Sequence, residues 1–341
     1  MKLSNFDYCL PEELIAQKPS PSRDGSRLMV VHRSNGLLEM KHFFDLPEYL
    51  EAGDVLVLND SKVIPARLAG RKDTGAVIEI LLIREEAAGL WEALMRPGKR
   101  LDVGAVIRFN KDSWAEVVDR KTEKSWMLKF HVSGNFHRFL ENNGRAPLPP
   151  YIKRNRTGPP DLCDLERYQT VYARKPGSIA APTAGLHFSE ALLEKIRRRD
   201  VTVATVTLHV GYGTFLPIEK DNIEEHAMEE ESFEVPPEVA EAVSGARRVI
   251  AVGTTSVRTL ETAADDTGHI RSGKGTTSLF LYPGKKFRIV EGLLTNFHLP
   301  RSSLFLLVCA FAGTDLIKQA YATAVQKRFR FYSYGDCMLI V

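Results

Sequence analysis

Cysteine is scarce in this chain, and the four present, Cys9, Cys163, Cys309 and Cys337, lie far apart with no Cys-x-x-Cys pair. That spacing supports neither a zinc site nor a disulfide framework, and it suits a reducing cytosol. Long apolar runs are missing as well. The longest, Leu304 to Phe311, is far short of the ~20 residues that span a bilayer. The N-terminal MKLSNFDYCLPEELIAQ is acidic and broken by Pro11, unlike a signal peptide. A strong charge of one sign is absent too: the net value is only +3, so a polyanion needs a local basic patch. No internal repeat, low-complexity tract, His-x-His or His-Glu-x-x-His spacing occurs. These absences point to a soluble, cytoplasmic protein with no metal and no membrane association.

What is present is an ordinary globular composition, 44% apolar and 26% charged over 341 residues, long enough for two domains. Residues 1–66 mix short helical and strand signals, with GDVLVLND reading as a strand that ends in a polar turn. From 67 to 150 short β-rich runs recur, VIEILLI, WEALM, AVIRF, WAEVV and WMLKFHV, separated by turn residues. The spacing predicts a small β-barrel, and Trp126, Leu128, Phe130 and Val132 alternate as in a half-buried strand. After residue 150 the texture becomes α/β. Ser189 is placed to cap a helix carrying Leu192, Leu193 and Ile196; VTVATVTLHV, RRVIAV, TSLFLY, VEGLLTNF and MLIV read as strands. Helices are expected over SVRTLETAA and roughly 303–311 and 315–327. The predicted fold is therefore an α/β domain with a layered, mostly parallel sheet, residues 1–66 and 151–341, interrupted by a β-barrel at 67–150.

Four histidines stand at element boundaries: His187 in AGLHF, His209 in TLHVG, His226 in EEHAM and His298 in NFHLP. Imidazole titrates near neutrality and suits proton transfer. Any one of them is explained by loop hydrogen bonding; four together point to a site for about two of them. The segment from Tyr168 to Phe215 is dense in rings, glycines and hydroxyls, as a pocket for a small polar ligand requires. GTTS at 253–256 sits between a strand and a helix, where exposed N–H groups and hydroxyls suit a carboxylate or phosphate. Ordinary N-capping explains the same residues equally well. GYGTF at 211–215 follows a strand but lacks the third glycine of a dinucleotide fingerprint. Tyr151, Lys153, Arg154 and Arg156 in PLPPYIKRNR put three cations beside a ring, a candidate for phosphates and an unstacked base.

Several longer strings, among them LPEELIAQKPSPSRDGSRLMV, GDVLVLNDSKVIPARLAG, ERYQTVYA, GSIAAPTAGLHF, VTLHVGYGTF, VGTTSVRTLE, LLTNFHLP and RFYSYGDCMLI, span essentially the whole chain. Together the chain resembles the S-adenosylmethionine:tRNA ribosyltransferase-isomerase family of queuosine biosynthesis. The resemblance implies an α/β domain interrupted by a barrel, acting as a monomer in the cytoplasm. It implies transfer and isomerisation of the ribosyl part of S-adenosylmethionine onto 7-aminomethyl-7-deazaguanine at the tRNA wobble position. Epoxyqueuosine would form and adenine and methionine would leave, with no cofactor beyond the consumed cosubstrate. His187, His209, His226 and Tyr168 are then the expected catalytic residues. Gln169, Thr183, Gly213, Thr214, Thr254, Thr255, Arg258, Asn296 and His298 are expected to bind substrates. One departure stands out: the family commonly reads His-x-Met-His-x-Glu where this chain has His226-Ala-Met-Glu229-Glu-Glu231. Lys285 also replaces a usual aromatic, at an expected surface position. An S-adenosylmethionine-dependent RNA methyltransferase is the alternative, although no early glycine-rich strand–turn–helix supports it. A non-catalytic RNA-binding module would not need the histidine and threonine clusters.

Overall fold

A computed structural model describes residues 1–98, 101–154, 162–215 and 217–341. The chain divides into two compact units: Met1–Ser61 with Thr170–Lys175 and Ala181–Val341, and Lys62–Gln169 with Pro176–Ala180. The return crossing therefore falls near residue 170 and not at the expected 151. The physical reason is local: the Gln169 side chain pairs with Val63 through both its amide groups, at 3.0 and 3.1 Å.

The first unit opens with strands β1 (Arg27–Val31), β2 (Leu38–His42) and β3 (Asp54–Asn59). The chain then passes through β4 (Ser61–Val63) into six strands, β5 (Arg67–Lys72), β6 (Val77–Ala87), β7 (Leu90–Arg96), β8 (Val106–Asn110), β9 (Ser113–Asp119) and β10 (Ser125–Val132). Helices α1 (Phe136–Asn143) and α2 (Leu162–Arg167) and strand β11 (Lys175–Ser178) follow. The rest comprises α3 (Glu190–Arg197), β12 (Thr202–Leu208), β13 (Glu231–Val235), α4 (Pro237–Ser244), β14 (Arg248–Val252), α5 (Gly253–Ala263) and β15 (Gly273–Thr277). Strand β16 (Gly292–Asn296), helices α6 (Ser303–Ala312) and α7 (Thr314–Gln326) and strand β17 (Cys337–Ile340) complete it.

Strands β5 to β10 close into an antiparallel barrel in the order β10-β7-β6-β5-β8-β9. Alternation directs Leu68, Ile80, Trp91, Ile107, Leu128 and Phe130 inward. Gly70 is required where β5 crosses β8, because a Cβ there would overlap Ile107 and approach Phe109 to 3.1 Å. Helix α1, capped by Asn135, sets Phe136 edge-on to Phe130 and Phe139 edge-on to Phe109.

The nine-stranded sheet has the order β15-β13-β12-β3-β14-β16-β17-β1-β2. Strands β12, β3, β14 and β16 run parallel side by side, and β17 and β1 are parallel to each other. The pairs β16–β17, β1–β2, β12–β13 and β13–β15 are antiparallel. The sheet is thus mixed, with its parallel character concentrated in the central four strands. All six β3 residues are buried, as its apolar run between two parallel neighbours demands. TSLFLY is not a strand: β15 stops at Thr277, and beyond it the Leu279 carbonyl accepts from the Arg258 side chain. Under one face Phe43, Leu46, Phe188, Leu192, Leu193 and Ile196 pack against Leu28, Leu56, Ile250 and Leu339. Among the described residues no single helix is long and apolar enough to cross a membrane.

Ser189 caps α3 as its sequence position suggests, accepting from the Leu192 amide at 3.2 Å while donating to Asp24 at 2.7 Å. Ser189→Ala should therefore destabilise the protein by about 1–2 kcal/mol. Urea unfolding checks this, and a loss below ~0.5 kcal/mol, the level of an ordinary surface change, contradicts it.

Candidate functional site

The polar residues of the α/β unit gather at one end of its sheet for a topological reason. The four central strands point the same way, so the residues after β3, β12, β14 and β16 emerge at a common carboxyl edge. Those residues are Asp60 and Ser61, His209, Gly253 to Thr255, and Phe297 and His298. The antiparallel registers bring the beginnings of β13 and β17 to the same edge, Leu208 facing Phe233 and Asn296 facing Cys337. Glu231 and Asp336 follow from that, and Ser26 arrives there because β1 pairs with β17 from Leu28 and Cys337 onward.

His187 ends the 3-10 turn Thr183–His187, is buried, and stacks on Phe43 at 5.1 Å. Its Nδ1 lies 2.7 Å from Ser26 Oγ and its Nε2 3.1 Å from Asn296 Nδ2. Asn296 Nδ2 also faces the Tyr332 and Asp336 carbonyls, so it is a donor. Nε2 of His187 must then accept, and the ring hydrogen sits on Nδ1 and goes to Ser26. Burial pushes the His187 pKa down to about 4. This imidazole is held neutral with both nitrogens committed.

His209 differs in access. It is half-buried, and Ser61 Oγ holds its Nδ1 at 2.9 Å. Burial lowers its pKa, and the Asp60 carboxylate partly opposes that. Asp60 in turn accepts from the Thr207 hydroxyl at 2.7 Å and ion-pairs with Arg174 at 3.5 Å. His226 closes a 3-10 turn, lies edge-on to Phe280 at 5.1 Å, and is also lowered by burial. His298 is clamped: the Tyr321 hydroxyl accepts from its amide at 2.9 Å, the Tyr8 hydroxyl donates to its carbonyl, and its Nε2 meets Thr295 at 2.8 Å. Burial drives its pKa to about 3.

Helix α5 starts at Gly253, whose φ of 84° needs glycine, and no side chain caps it. The Ser256 and Thr259 hydroxyls are spent on the carbonyls of Val252 and Thr255. Thr254 is buried, and Thr255 Oγ1 is buried without a hydrogen-bond partner among the described residues. The capping explanation of GTTS therefore fails, and the first-turn amides stay available to an anion. Thr170 Oγ1, Tyr172 Oη and Asn296 Oδ1 are likewise buried without partners among the described residues. Tyr172 presses on Gly185 of the same 3-10 turn, where a Cβ would overlap its hydroxyl and lie 2.8 Å from Thr170. Thr183, half-buried, begins that turn.

Other expectations come out differently. Arg258 is not open to a substrate carboxylate: it is 4% exposed and ion-pairs with Glu231. Thr214 and the Gly211 amide also bond to Glu231, at 3.4 and 2.8 Å, and Gly213 backs onto Glu229. In the barrel unit Tyr168 is fully buried and the Gln169 amide is occupied by Val63, so the latter is not free to read a base. Tyr151 is half-buried and Lys153 exposed. Arg154 forks onto the buried Asp164 at 2.7 and 3.0 Å, so its guanidinium has a structural partner. Arg156 lies outside the described residues. Lys285 stands over the Tyr282 ring at 4.9 Å. Ser26, Asp60, Ser61, Tyr172 and Glu231 were not singled out from sequence. The signal was there only as context: Ser26, Asp60, Ser61 and Tyr172 lie inside the longer strings, and Glu231 ends the segment that departs from the family pattern. Among the described residues no three His, Cys, Asp or Glu side chains form a metal-ligand set. A cleft of about 500 Å³ lined by Tyr172, Leu193, Glu194 and Arg197 contains none of the expected site residues.

An edge of neutral imidazoles, unsatisfied hydroxyls and an uncapped helix start defines an α/β protein built to hold a small polar ligand at its strand ends. The family model described as "Queuosine biosynthesis protein" matches residues 3–340, and the chain belongs to that family. It is 54% identical to the S-adenosylmethionine:tRNA ribosyltransferase-isomerase of Syntrophus aciditrophicus, with all of both chains covered. It is 51% identical to the protein of that name from Desulforamulus reducens, again over the full length of each. Among solved structures it is similar to the S-adenosylmethionine tRNA ribosyltransferase of Thermotoga maritima, at 40% identity and a TM-score of 0.55, covering 99% and 100% of the two chains.

The buried histidines make stability pH-dependent. The folded pKa values of His187 and His298, about 4 and about 3, lie below the ordinary 6.5. The unfolded chain therefore binds more protons in that window. Stability present above pH 6.5 is lost as pH falls toward those values, on the order of 3 kcal/mol per histidine. Urea midpoints should drop steadily between about pH 6.5 and 4, and His298→Asn should flatten the slope. A wild-type midpoint unchanged across that range overturns the assignment.

Proposed function

We propose that this protein is an S-adenosylmethionine:tRNA ribosyltransferase-isomerase. It moves the ribosyl part of S-adenosylmethionine onto 7-aminomethyl-7-deazaguanine at the tRNA wobble position, forms epoxyqueuosine, and releases adenine and methionine. Family membership over residues 3–340 carries the reading. The carboxyl-edge chemistry supports it. The sulfonium acidifies the neighbouring C5′ protons, so the first step needs a neutral base, and His209 offers a half-open imidazole with a lowered pKa. Adenine needs a proton to leave, which the imidazolium formed when His209 takes the C5′ proton can supply, with His226, the second accessible imidazole of the set, as a relay. Ring closure develops an alkoxide that wants donors, and hydroxyls such as those of Tyr172 and Thr255 are suited to the polar sugar. The uncapped amides of α5, with Thr254 and Thr255, suit the methionine carboxylate. His187 is a post that fixes Ser26 and Asn296. S-adenosylmethionine is consumed, and no other cofactor enters this reading. Action as a cytoplasmic monomer belongs to the same reading; Cys9 and Cys163 are exposed and form no disulfide, as a reducing compartment permits.

Product analysis tests it. Protein incubated with S-adenosylmethionine and tRNA bearing the aminomethyl base should release free adenine and methionine. S-adenosylhomocysteine instead would establish methyl transfer, and no conversion with intact RNA binding would leave a binding module. His209→Asn should lower turnover by ~10²–10⁴-fold with the fold intact. The wild-type rate should be level above pH 6.5 and fall in acid as His209 protonates; a folded variant with near-normal turnover removes His209 from the mechanism.

Two binding arms follow. Thr254→Val and Thr255→Val should weaken S-adenosylmethionine more than tRNA in calorimetry, and unchanged cosubstrate affinity in both counts against the carboxylate site. Neutralising Lys153 and Arg156, while sparing the Asp164-bound Arg154, should flatten the log K versus log salt slope for tRNA by ~2. A wild-type slope would direct attention to Arg197–Arg199.

A further inference from the structure

We propose that Glu231 is the positioning residue for the loop Gly211–Thr214 at the carboxyl edge, with Arg258 as its anchor. The inference rests on the reading of the carboxyl edge given above and assigns a role that reading leaves unfilled.

Glu231 begins β13 and is 5% exposed. Both oxygens of its carboxylate are in use. Oε1 accepts from the Gly211 amide at 2.8 Å and from the Thr214 hydroxyl at 3.4 Å. Oε2 ion-pairs with Arg258 on α5. The guanidinium is itself surrounded: Nε donates to the Leu279 carbonyl at 3.1 Å and Nη2 faces that of Thr277 at 3.4 Å. One carboxylate thus ties together the turn that follows His209, the helix that presents Thr254 and Thr255, and the segment 277–279. The neighbouring acid shares the task. Gly213 backs onto Glu229 so closely that a Cβ would come within 2.8 Å of its carboxylate.

Stability alone does not call for this arrangement. Burying two ions is costly, and a well-packed apolar pair of similar volume is often as stable. What an apolar pair cannot do is accept hydrogen bonds from a loop amide and a loop hydroxyl. Glu231 therefore sets where the loop stands relative to the first turn of α5. Misplacement by about 1 Å costs on the order of 10²-fold in a reaction that depends on alignment.

The test uses the full-length protein. The double variant Glu231→Leu with Arg258→Met removes both charges while keeping bulk. We expect it to fold, to bind tRNA within about twofold of wild type, and to lose ~10²-fold in kcat/KM for S-adenosylmethionine. Glu231→Gln with Arg258→Gln restores an acceptor for Gly211 and should recover about tenfold of that loss. A folded Leu/Met variant with wild-type kcat/KM reduces the pair to scaffolding and overturns the proposal. Should that variant not fold, Glu231→Gln alone, assayed below its melting temperature, decides: unchanged kcat/KM for S-adenosylmethionine overturns it. Amide exchange reads the loop without catalysis. The variants should exchange faster at Gly211–Thr214 and not at β3 or β14, and unchanged protection there refutes the role. Wild-type protein that releases no adenine would sink the proposed reaction instead, and the exchange result would still stand or fall by itself.

Discussion

Four strands lying parallel, β12, β3, β14 and β16, are what every other feature of the candidate site depends on. Parallel pairing forces each strand to finish at the same edge, so segments far apart in the chain deliver their polar residues to one place. Antiparallel neighbours then contribute their starts and not their ends. That is why Glu231 and Asp336 stand beside residues that follow strands. Reversal of a single central strand would send its histidine or threonine to the opposite edge.

Around that edge the protein separates two kinds of polar group. One kind is satisfied and held: His187 between Ser26 and Asn296, His298 between two tyrosines, and Glu231 between a loop and Arg258. The other kind is buried but unmatched by protein donors or acceptors among the described residues, as at Thr170, Tyr172, Thr255 and Asn296 Oδ1. An unsatisfied buried polar atom is costly, so several of them about one 3-10 turn mark a surface shaped for something besides the fold. The satisfied groups hold that surface in position. Preorganised groups of this kind aid a reaction because they do not reorganise while charge develops.

The basic segment of the barrel unit shows the same separation of roles. Three cations in four residues look interchangeable in sequence, yet Arg154 is bound to a buried aspartate whereas Lys153 is exposed. Phosphate contacts draw on exposed cations, and an arginine engaged by a buried carboxylate contributes mainly to its own unit.

Periodicity and punctuation made much of the fold legible. The barrel strands were visible because small closed barrels alternate inward and outward residues between short turns. The Ser189 cap and β3, with its apolar run Val55–Leu58, were visible for equally local reasons. The family strings located the loops, and His209 in TLHVG proved to stand at a strand end. Local pattern could not say which polar groups would find each other. TSLFLY has the composition of a strand, but past Thr277 its Leu279 carbonyl goes to the Arg258 side chain. Arg258 looked like a substrate ligand until Glu231, 27 positions away, proved to face it. Ser26 and His187 lie 161 positions apart and meet only in the folded chain. The amino-acid sequence by itself determined most of the elements, the Ser189 cap and the family. Only the tertiary structure decided which charges are spent inside and which face a ligand, because burial and partnership arise from long-range packing that no local spacing records.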